Sequence, residues 1–240
     1  METLFIYRWT LGSLLCLLLP LVGIVGTRLH WWPYYVGLLW LVAALACALL
    51  LLPLALWQRQ WLATASPTLL ILLVLPFMIK AFTLPAIHDI STDTQTPPTL
   101  TAATTLRSGG DHNTDYAGTT VAQQQRATWP EIQPLIIQQP IKQVHAQVQA
   151  LIAQRGWTIT ANSDTQLEAV VSSTLFGFRD DIAIRLTPVE STAVSNDVHD
   201  LNSEQSATKV DMRSASRVGK SDLGANAERI RAFLIELNQL

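Results

Sequence analysis

Cysteine is scarce in this chain, and the placement of the few that occur excludes several kinds of chemistry. The 240 residues include 2 cysteines, Cys16 and Cys47, and both lie in long apolar runs. The remaining sequence therefore has no disulfide, no cysteine-based zinc motif and no cysteine nucleophile. The hydrolase motifs GxSxG and HExxH are missing as well. We predict neither a bound metal nor a cofactor.

Charged residues are almost missing from the first third of the chain. Three apolar runs lie there, at 10–27, 34–56 and 64–84, and each has about the 20 residues that a helix needs to cross a bilayer. Because backbone groups in lipid must be satisfied within the segment, we predict three transmembrane helices over residues 1–87, with the bilayer as their partner. This stretch contains five charged residues, Glu2, Arg8, Arg28, Arg59 and Lys80.

The few charges also predict an orientation. Arg8 and Arg59 lie on one side of the three runs and Arg28 on the other, which favours a cytoplasmic N-terminus. The first run is long for a signal peptide and lacks a clear cleavage site, so we expect it to be retained. The predicted location is the inner membrane, multi-pass, with the C-terminal domain in the periplasm.

The sequence after residue 87 changes character. It contains 12 Lys and Arg against 17 Asp and Glu, a difference of −5, whereas a nucleic-acid-binding domain would be basic. Residues 88–130 are rich in Thr, Gln, Asp and Pro without periodicity, and they predict an extended polar strap or tether. Nucleic acid is excluded as a partner.

Residues 131–240 show the periodicities of a folded α+β domain. Apolar residues recur at helical spacing over 140–155 and over about 221–238. Four segments between them alternate with a period of two, which indicates a sheet with one buried face. We predict the order α-β-β-β-β-α, with an antiparallel sheet of about four strands and the helices on one face. The long segment 188–207 between the last two strands is expected to be disordered.

Several phrases together are similar to a known family. They are HDISTD at 88–93, PP at 97–98, LFGFRDDIAIR at 175–185 and DMRSASRVGKSDLGANAERIR at 211–231. On these phrases the sequence resembles the domain-of-unknown-function family 1499, whose members include bacterial envelope proteins with membrane segments ahead of a soluble domain. The resemblance covers about 150 residues from His88 onward and implies no activity, cofactor or substrate.

The last of these phrases suggests an anion site. A helix N-terminus follows it, and unpaired N–H groups there favour anions. We therefore predict an anion-binding turn formed by Arg213, Arg217, Lys220 and Ser221. A P-loop is excluded because Ser214 occupies the position of its first glycine. The alternative is that the turn is structural and its arginines pair with carboxylates of the domain.

Two further groups of polar residues have both a functional and a structural interpretation. Alternation directs Glu168, Asp181, Arg185, Asp211 and Arg213 to one face, as an acid–base site or as cross-strand salt pairs such as Asp181 with Arg213 or Arg217. His88, Asp89 and Asp93 could bind a metal or start acid–base chemistry, or they could form turns and caps. The candidate catalytic residues are His88, Asp181 and Arg213.

We favour a non-enzymatic role for the protein as a whole. The sequence predicts a membrane-anchored envelope protein whose soluble domain binds a partner protein or an anionic amphiphile such as a lipid. The alternative is a hydrolase that acts on a membrane or cell-wall component.

Overall fold

The computed structural model describes residues 2–189 and 207–240. It divides into two compact units, Met1–Phe82 with Ser173–Gly177, and Thr83–Ser172 with Phe178–Leu240. The segment expected to be disordered lies almost entirely outside the described residues. Strand β5 ends at Val189, the last described residue of the first range, and strand β6 begins at Ala207, the first described residue of the second.

The first unit contains three long helices, as the apolar runs predicted. Their mean hydropathies are 2.1, 2.6 and 2.2, and all three are long and apolar enough to cross a membrane. The high proportion of Leu, Ala and Val, with almost no charge, leaves the spans Trp9–Arg28, Tyr34–Trp57 and Trp61–Thr83 apolar on all sides. The three helices are α1 (Glu2–Arg28), α2 (Tyr34–Trp57) and α3 (Trp61–Thr83).

Small residues determine how α1 and α2 pack. A Cβ atom added to Gly23 would lie 2.6 Å from the carbonyl oxygen of Gly37, so the two backbones approach as closely as only glycine permits. Cys16 of α1, Ala44 of α2 and Leu70 of α3 belong to one buried cluster. The three helices therefore form a packed bundle rather than three independent segments.

The second unit is an antiparallel sheet with helices, as predicted, although the sheet has six strands rather than four. Its sheet order is β1-β6-β5-β4-β3, and β2 also pairs with β6. The elements in chain order are β1 (Asp89–Ser91), α4 (Ala103–Leu106), α5 (Thr119–Thr128), β2 (Leu135–Ile137), α6 (Ile141–Gln154), β3 (Thr158–Asn162), β4 (Gln166–Ser172), β5 (Arg179–Val189), β6 (Ala207–Ser216) and α7 (Ala225–Leu237).

The two unpredicted strands are short and pair with a distant part of the chain. β1 pairs with the end of β6, where Ile90 lies opposite Ser214, and β2 pairs with its beginning, where Ile136 lies opposite Lys209. Three residues are too few to show a period of two. Both strands depend on the backbone of β6, which sequence periodicity does not reveal.

The main core lies between the sheet and helices α6 and α7. Alternate residues of the central strands, such as Ile182 and Met212, are fully buried there together with Phe233 of α7. Trp157 stacks on Phe233 with ring centroids 5.4 Å apart. This is the helix-covered face that the periodicity predicted.

The opposite face of the sheet is also covered. We call residues 92–118 the cover segment. Leu100 and Ala103 of this segment pack on Ala183 and Ala215, which belong to the other face of β5 and β6. The polar side chains of that face are therefore enclosed between the sheet and the cover segment.

Candidate functional site

Most of the predicted site residues lie in one enclosed layer of ion pairs, between the sheet and the cover segment. Asp181, Asp211 and Arg213 are 2%, 0% and 3% exposed. A buried charge is stable only when it is paired and hydrogen-bonded. The contacts of each side chain therefore decide what it can do.

Arg213 of β6 is fully engaged within the domain. Its Nε and Nη2 atoms donate to the two carboxylate oxygens of Asp89 at 3.0 and 2.7 Å. Its Nη1 and Nη2 atoms also donate to the carbonyl oxygens of Pro98 and Thr114 in the cover segment. The ring of Tyr116 lies 5.6 Å from the guanidinium carbon. Burial, together with Asp89, raises the pKa of Tyr116 to about 12, although Arg213 opposes this.

Arg217, which follows β6, is engaged in the same way. Its Nη2 and Nε atoms donate to Oδ1 and Oδ2 of Asp181 at 2.7 and 3.1 Å. Arg107 of the cover segment donates to the same Oδ2 at 2.8 Å. Asp181 is thus bound by two arginines, which confirms the predicted salt pair with Arg217. Its neighbour Asp180 points to the other face, where it binds Arg229 of α7 at 2.6 Å.

Arg185, Asp211 and Asp93 form a further group of ion pairs in the layer. Arg185 donates to Asp211 at 2.9 Å and to Asp93 at 3.1 Å. Burial raises the pKa of Asp93, but hydrogen bonds from Thr96 and Gln95 outweigh it and lower that pKa below its ordinary value. Asp93 therefore stays ionised and closes a turn of the cover segment.

Glu168 of β4 binds backbone rather than a cation. Its two carboxylate oxygens accept the N–H groups of Thr101 and Ala102, both at 2.9 Å. These donors precede α4, so Glu168 fixes the cover segment to the sheet. Charge-assisted hydrogen bonds of this kind are stronger than neutral ones.

The turn between β6 and α7 is shaped by backbone conformation and by Asp222. Gly219, Leu223 and Gly224 have left-handed φ values of 91°, 55° and 82°. The carboxylate of Asp222 accepts the N–H groups of Gly224 and Asn226 at 2.9 and 2.7 Å, which satisfies donors at the start of α7. Burial raises the pKa of Asp222 above its usual value, although these two hydrogen bonds oppose the change.

The four residues predicted to bind an anion thus have different surroundings. Arg213 and Arg217 are buried in ion pairs, Lys220 is exposed, and Ser221 is half-buried with its hydroxyl accepting the N–H of Leu223 at 3.2 Å. An external anion could reach Lys220 directly, but would have to displace carboxylates and the cover segment to reach the arginines. Anion binding by these four residues stays a prediction.

Two histidines join three segments beside the ion-pair layer. The imidazoles of His88 and His112 stack with ring centroids 4.0 Å apart and an interplanar angle of 20°. The Nε2 atom of His112 lies 2.9 Å from the carbonyl oxygen of Gly219. Burial and the imidazole of His112 lower the pKa of His88 from its usual value, while Asp89 and a hydrogen bond to the backbone of Lys220 oppose the shift.

The three candidate catalytic residues engage different partners. His88 stacks on His112, Asp181 binds Arg107 and Arg217, and Arg213 binds Asp89. In the ranges 2–189 and 207–240, no group of three or more His, Cys, Asp or Glu side chains could coordinate a metal ion. The catalytic assignment stays a prediction.

The sequence did not predict three cations or histidines that the structure places near the sheet, namely Arg107, His112 and Arg126. Arg107 and His112 lie in the strap-like sequence, whose composition gives no periodicity to place them against the sheet. Arg126 of α5 was missed for the same reason. Arg107 and His112 lie among Asp, Asn, Gly and Thr residues, which predict turns rather than a tertiary contact.

An open cleft lies beside the cover segment. It has a volume of about 480 Å³, and cations from two elements line it, Arg126 of α5 and Lys209 of β6. Arg126 is exposed and donates to the hydroxyl of Thr94 at 2.7 Å. Lys209 is partly exposed and lies 3.2 Å from Asp211. The other lining residues are Thr92, Asp93, Thr94, Gln95, Ile132, Gln133 and Pro134.

These features define a class of protein: three helices fit to cross a membrane, followed by an α+β domain whose second face is sealed by buried ion pairs. The family model described as "Protein of unknown function (DUF1499)" matches residues 89–237, which is more than half of the chain. The chain belongs to this family, which confirms the resemblance seen in the sequence. No curated protein matches it.

Proposed function

We propose that this protein is a membrane-anchored binding protein, and that its C-terminal unit binds the anionic head group of an amphiphile in the cleft between Arg126 and Lys209. The observation that carries the proposal is this cleft, because it combines accessible cations with the partly exposed apolar side chain of Pro134. Its volume of about 480 Å³ falls within the range usual for small-molecule sites.

The charge balance around the cleft supports an anionic ligand. Arg126, Lys209 and Arg185 contribute three positive charges, and Asp93 and Asp211 contribute two negative ones. Arg185 and Lys209 already offset the two carboxylates. Among residues 2–189 and 207–240, the guanidinium of Arg126 therefore forms no ion pair, and it can form bidentate hydrogen bonds with a phosphate or a carboxylate.

The apolar part of the lining supports an amphiphile rather than a free ion. Ile132 is 4% exposed, and Pro134 is half-buried beside it. Ile132 already packs in the main core, so Pro134 is the side chain that can contact methylene groups while the head group meets Arg126. A membrane anchor keeps such a domain next to the lipids from which the ligand would come.

In this proposal the protein resides in the inner membrane, with the C-terminal unit on the periplasmic side. Three helices that can cross a membrane and the placement of Arg8, Arg28 and Arg59 support this orientation. Lys220 and Ser221 would offer a secondary contact for an anion, and a protein partner is the alternative ligand.

Native mass spectrometry of the full chain, extracted gently from its own membrane, tests the proposal. We expect a reproducible adduct whose mass identifies an anionic amphiphile. Arg126→Gln removes the positive charge at this position and should reduce adduct occupancy about tenfold, the value of one charge-assisted hydrogen bond. Lys142→Gln is the matched control, because Lys142 is an exposed cation on α6 that does not line the cleft.

Each possible result of this experiment supports or contradicts binding of an amphiphile in the cleft. An adduct that Arg126→Gln loses and Lys142→Gln keeps would support the cleft as the binding site. An adduct with the mass of inorganic phosphate would replace the amphiphile by a free anion. An adduct that both variants keep equally, or a bare mass, would overturn the proposal and redirect the search to a protein partner.

A further inference from the structure

We propose that the stacked imidazoles of His88 and His112 form an acid-released clasp, which keeps residues 107–118 of the cover segment closed over the ion-pair layer at neutral pH. The clasp is distinct from the cleft of the proposed function, since neither histidine lines that cleft. It stands or falls independently of any ligand.

The clasp joins three parts of the chain that are far apart in sequence. His88 directly precedes β1, His112 belongs to the cover segment, and Gly219 belongs to the turn after β6. The carbonyl oxygen of His88 accepts hydrogen bonds from the N–H of Ser216 at 2.9 Å and from the side chain of Asn226 at 2.9 Å. His88 is therefore fixed to the domain, and His112 is the movable partner.

Residues next to His112 cover the buried arginines. The backbone N–H of His112 donates to the carbonyl oxygen of Arg217 at 2.7 Å. Arg217 donates to the carbonyl of Leu106, and Arg213 donates to that of Thr114. Opening of residues 107–118 would remove the Thr114 acceptor from Arg213 and the Arg107 partner from Asp181, which also binds Arg217. Arg213 and Arg217 are residues that the sequence assigned to anion binding.

Protonation changes the sign of the interaction between the two rings. Neutral imidazoles attract by stacking, whereas two imidazolium ions with centroids 4.0 Å apart repel each other. Among the described residues, the charged groups that act on His88 are Arg107 and Asp89, and the backbone of Lys220 contacts His88. Arg107 adds to the repulsion. Asp89 would attract the imidazolium ions, but its carboxylate is already bound by Arg213.

The pKa of His88 in the folded state determines how the stability of the clasp changes with pH. Burial and His112 lower the pKa of His88, so the folded state binds its proton more weakly than the unfolded chain does. The stabilisation is then complete above the ordinary histidine pKa of about 6.5 and is lost as the pH falls below it. The clasp is therefore compared at about pH 7.5, above the ordinary histidine pKa, and at about pH 5.5, below it, where most carboxylates remain ionised.

Hydrogen–deuterium exchange of the full chain in detergent tests the clasp. Protection is compared at the two pH values after correction for the intrinsic exchange rate of each amide. Residues 107–118 should lose about tenfold or more in protection at the lower pH, whereas helix α7 should keep its protection. Equal protection of residues 107–118 at both pH values would overturn the proposal.

Two variants separate the clasp from general acid sensitivity. His112→Phe keeps an aromatic ring for stacking, but it cannot be protonated and it loses the Nε2 contact with Gly219. The protection of residues 107–118 should therefore be somewhat lower than in the wild type and the same at both pH values. His145→Phe is the matched control, because His145 binds Asn162 and Ser163 on the edge of the domain, and this variant should open like the wild type.

The outcome for the variants is decisive in either direction. Opening of His112→Phe at low pH to the same extent as the wild type would contradict the clasp. Loss of protection in α7 at neutral pH would mean that the His112→Phe domain is not correctly folded. His88→Phe then provides the same test from the other ring. Opening of both variants at low pH would exclude a role for imidazole protonation.

Discussion

The guanidinium of Arg217 and the carboxylate of Asp181 form a two-point ion pair, with Nη2 2.7 Å from Oδ1 and Nε 3.1 Å from Oδ2. Both side chains are almost fully enclosed, with 6% and 3% of their side-chain surfaces exposed. The arginine that makes the turn after β6 resemble an anion site therefore already binds an anionic group, supplied by the neighbouring strand.

Replacing Arg217 by Ala should destabilise the C-terminal unit strongly. Asp181 would keep Arg107 but lose two charge-assisted hydrogen bonds in an enclosed site, and we expect a loss of about 3 kcal/mol. Thermal unfolding in detergent measures this. The control is Lys220→Ala, three residues further along and exposed, which should change stability by less than about 0.5 kcal/mol. Equal stabilities of the two variants would contradict a structural role for Arg217.

Gly224 provides a test of the turn itself. Its φ of +82° is unfavourable for any residue with a Cβ atom, and a Cβ there would lie 3.0 Å from Cδ1 of Leu84. Gly224→Ala should therefore lower stability by about 1–3 kcal/mol. Gly109→Ala is the control, since an added Cβ there would meet nothing within 4 Å. A Gly224→Ala protein as stable as that control would show that the turn tolerates another conformation.

The orientation of the chain in the membrane can be measured with reporter fusions. Alkaline phosphatase at the C-terminus should be active and green fluorescent protein there should be dark, because Arg8 and Arg59 favour the cytoplasmic side. Removing both charges with Arg8→Gln and Arg59→Gln should mix or invert the orientation.

The matched control for the orientation is Arg28→Gln. This change removes the one arginine on the opposite side of the spans, so it should reinforce the original orientation. A fluorescent C-terminal fusion of the unaltered protein would contradict the periplasmic assignment.

Periodicity predicted those elements whose burial is repeated along the local sequence. Helix α6, expected over 140–155, spans Ile141–Gln154, and helix α7 ends close to its expected limit. The long strands β5 and β6 alternate apolar and polar residues, so their two faces could be assigned before the structure was known. The direction of Asp181 away from the main core follows from that alternation.

The missed elements have no such local signal. β1 and β2 have three residues each, and both exist because β6 offers them a backbone edge. The cover segment is polar and aperiodic, yet Glu168 binds two of its N–H groups and Asp181 binds its Arg107. These contacts join residues more than sixty positions apart, which no local pattern encodes.

The sequence by itself determined the three apolar helices, the family, the helix-covered face of the sheet and the residue types of its polar face. The family follows from specific sequence phrases, and the other features depend on hydrophobic burial or alternation, which repeats along the chain and can be read locally. The tertiary structure alone decided which charges neutralise one another. Electrostatic pairing depends on distances of a few ångströms between distant segments, and it placed Arg213 and Arg217 in ion pairs, His88 on His112, and Arg126 at an open cleft.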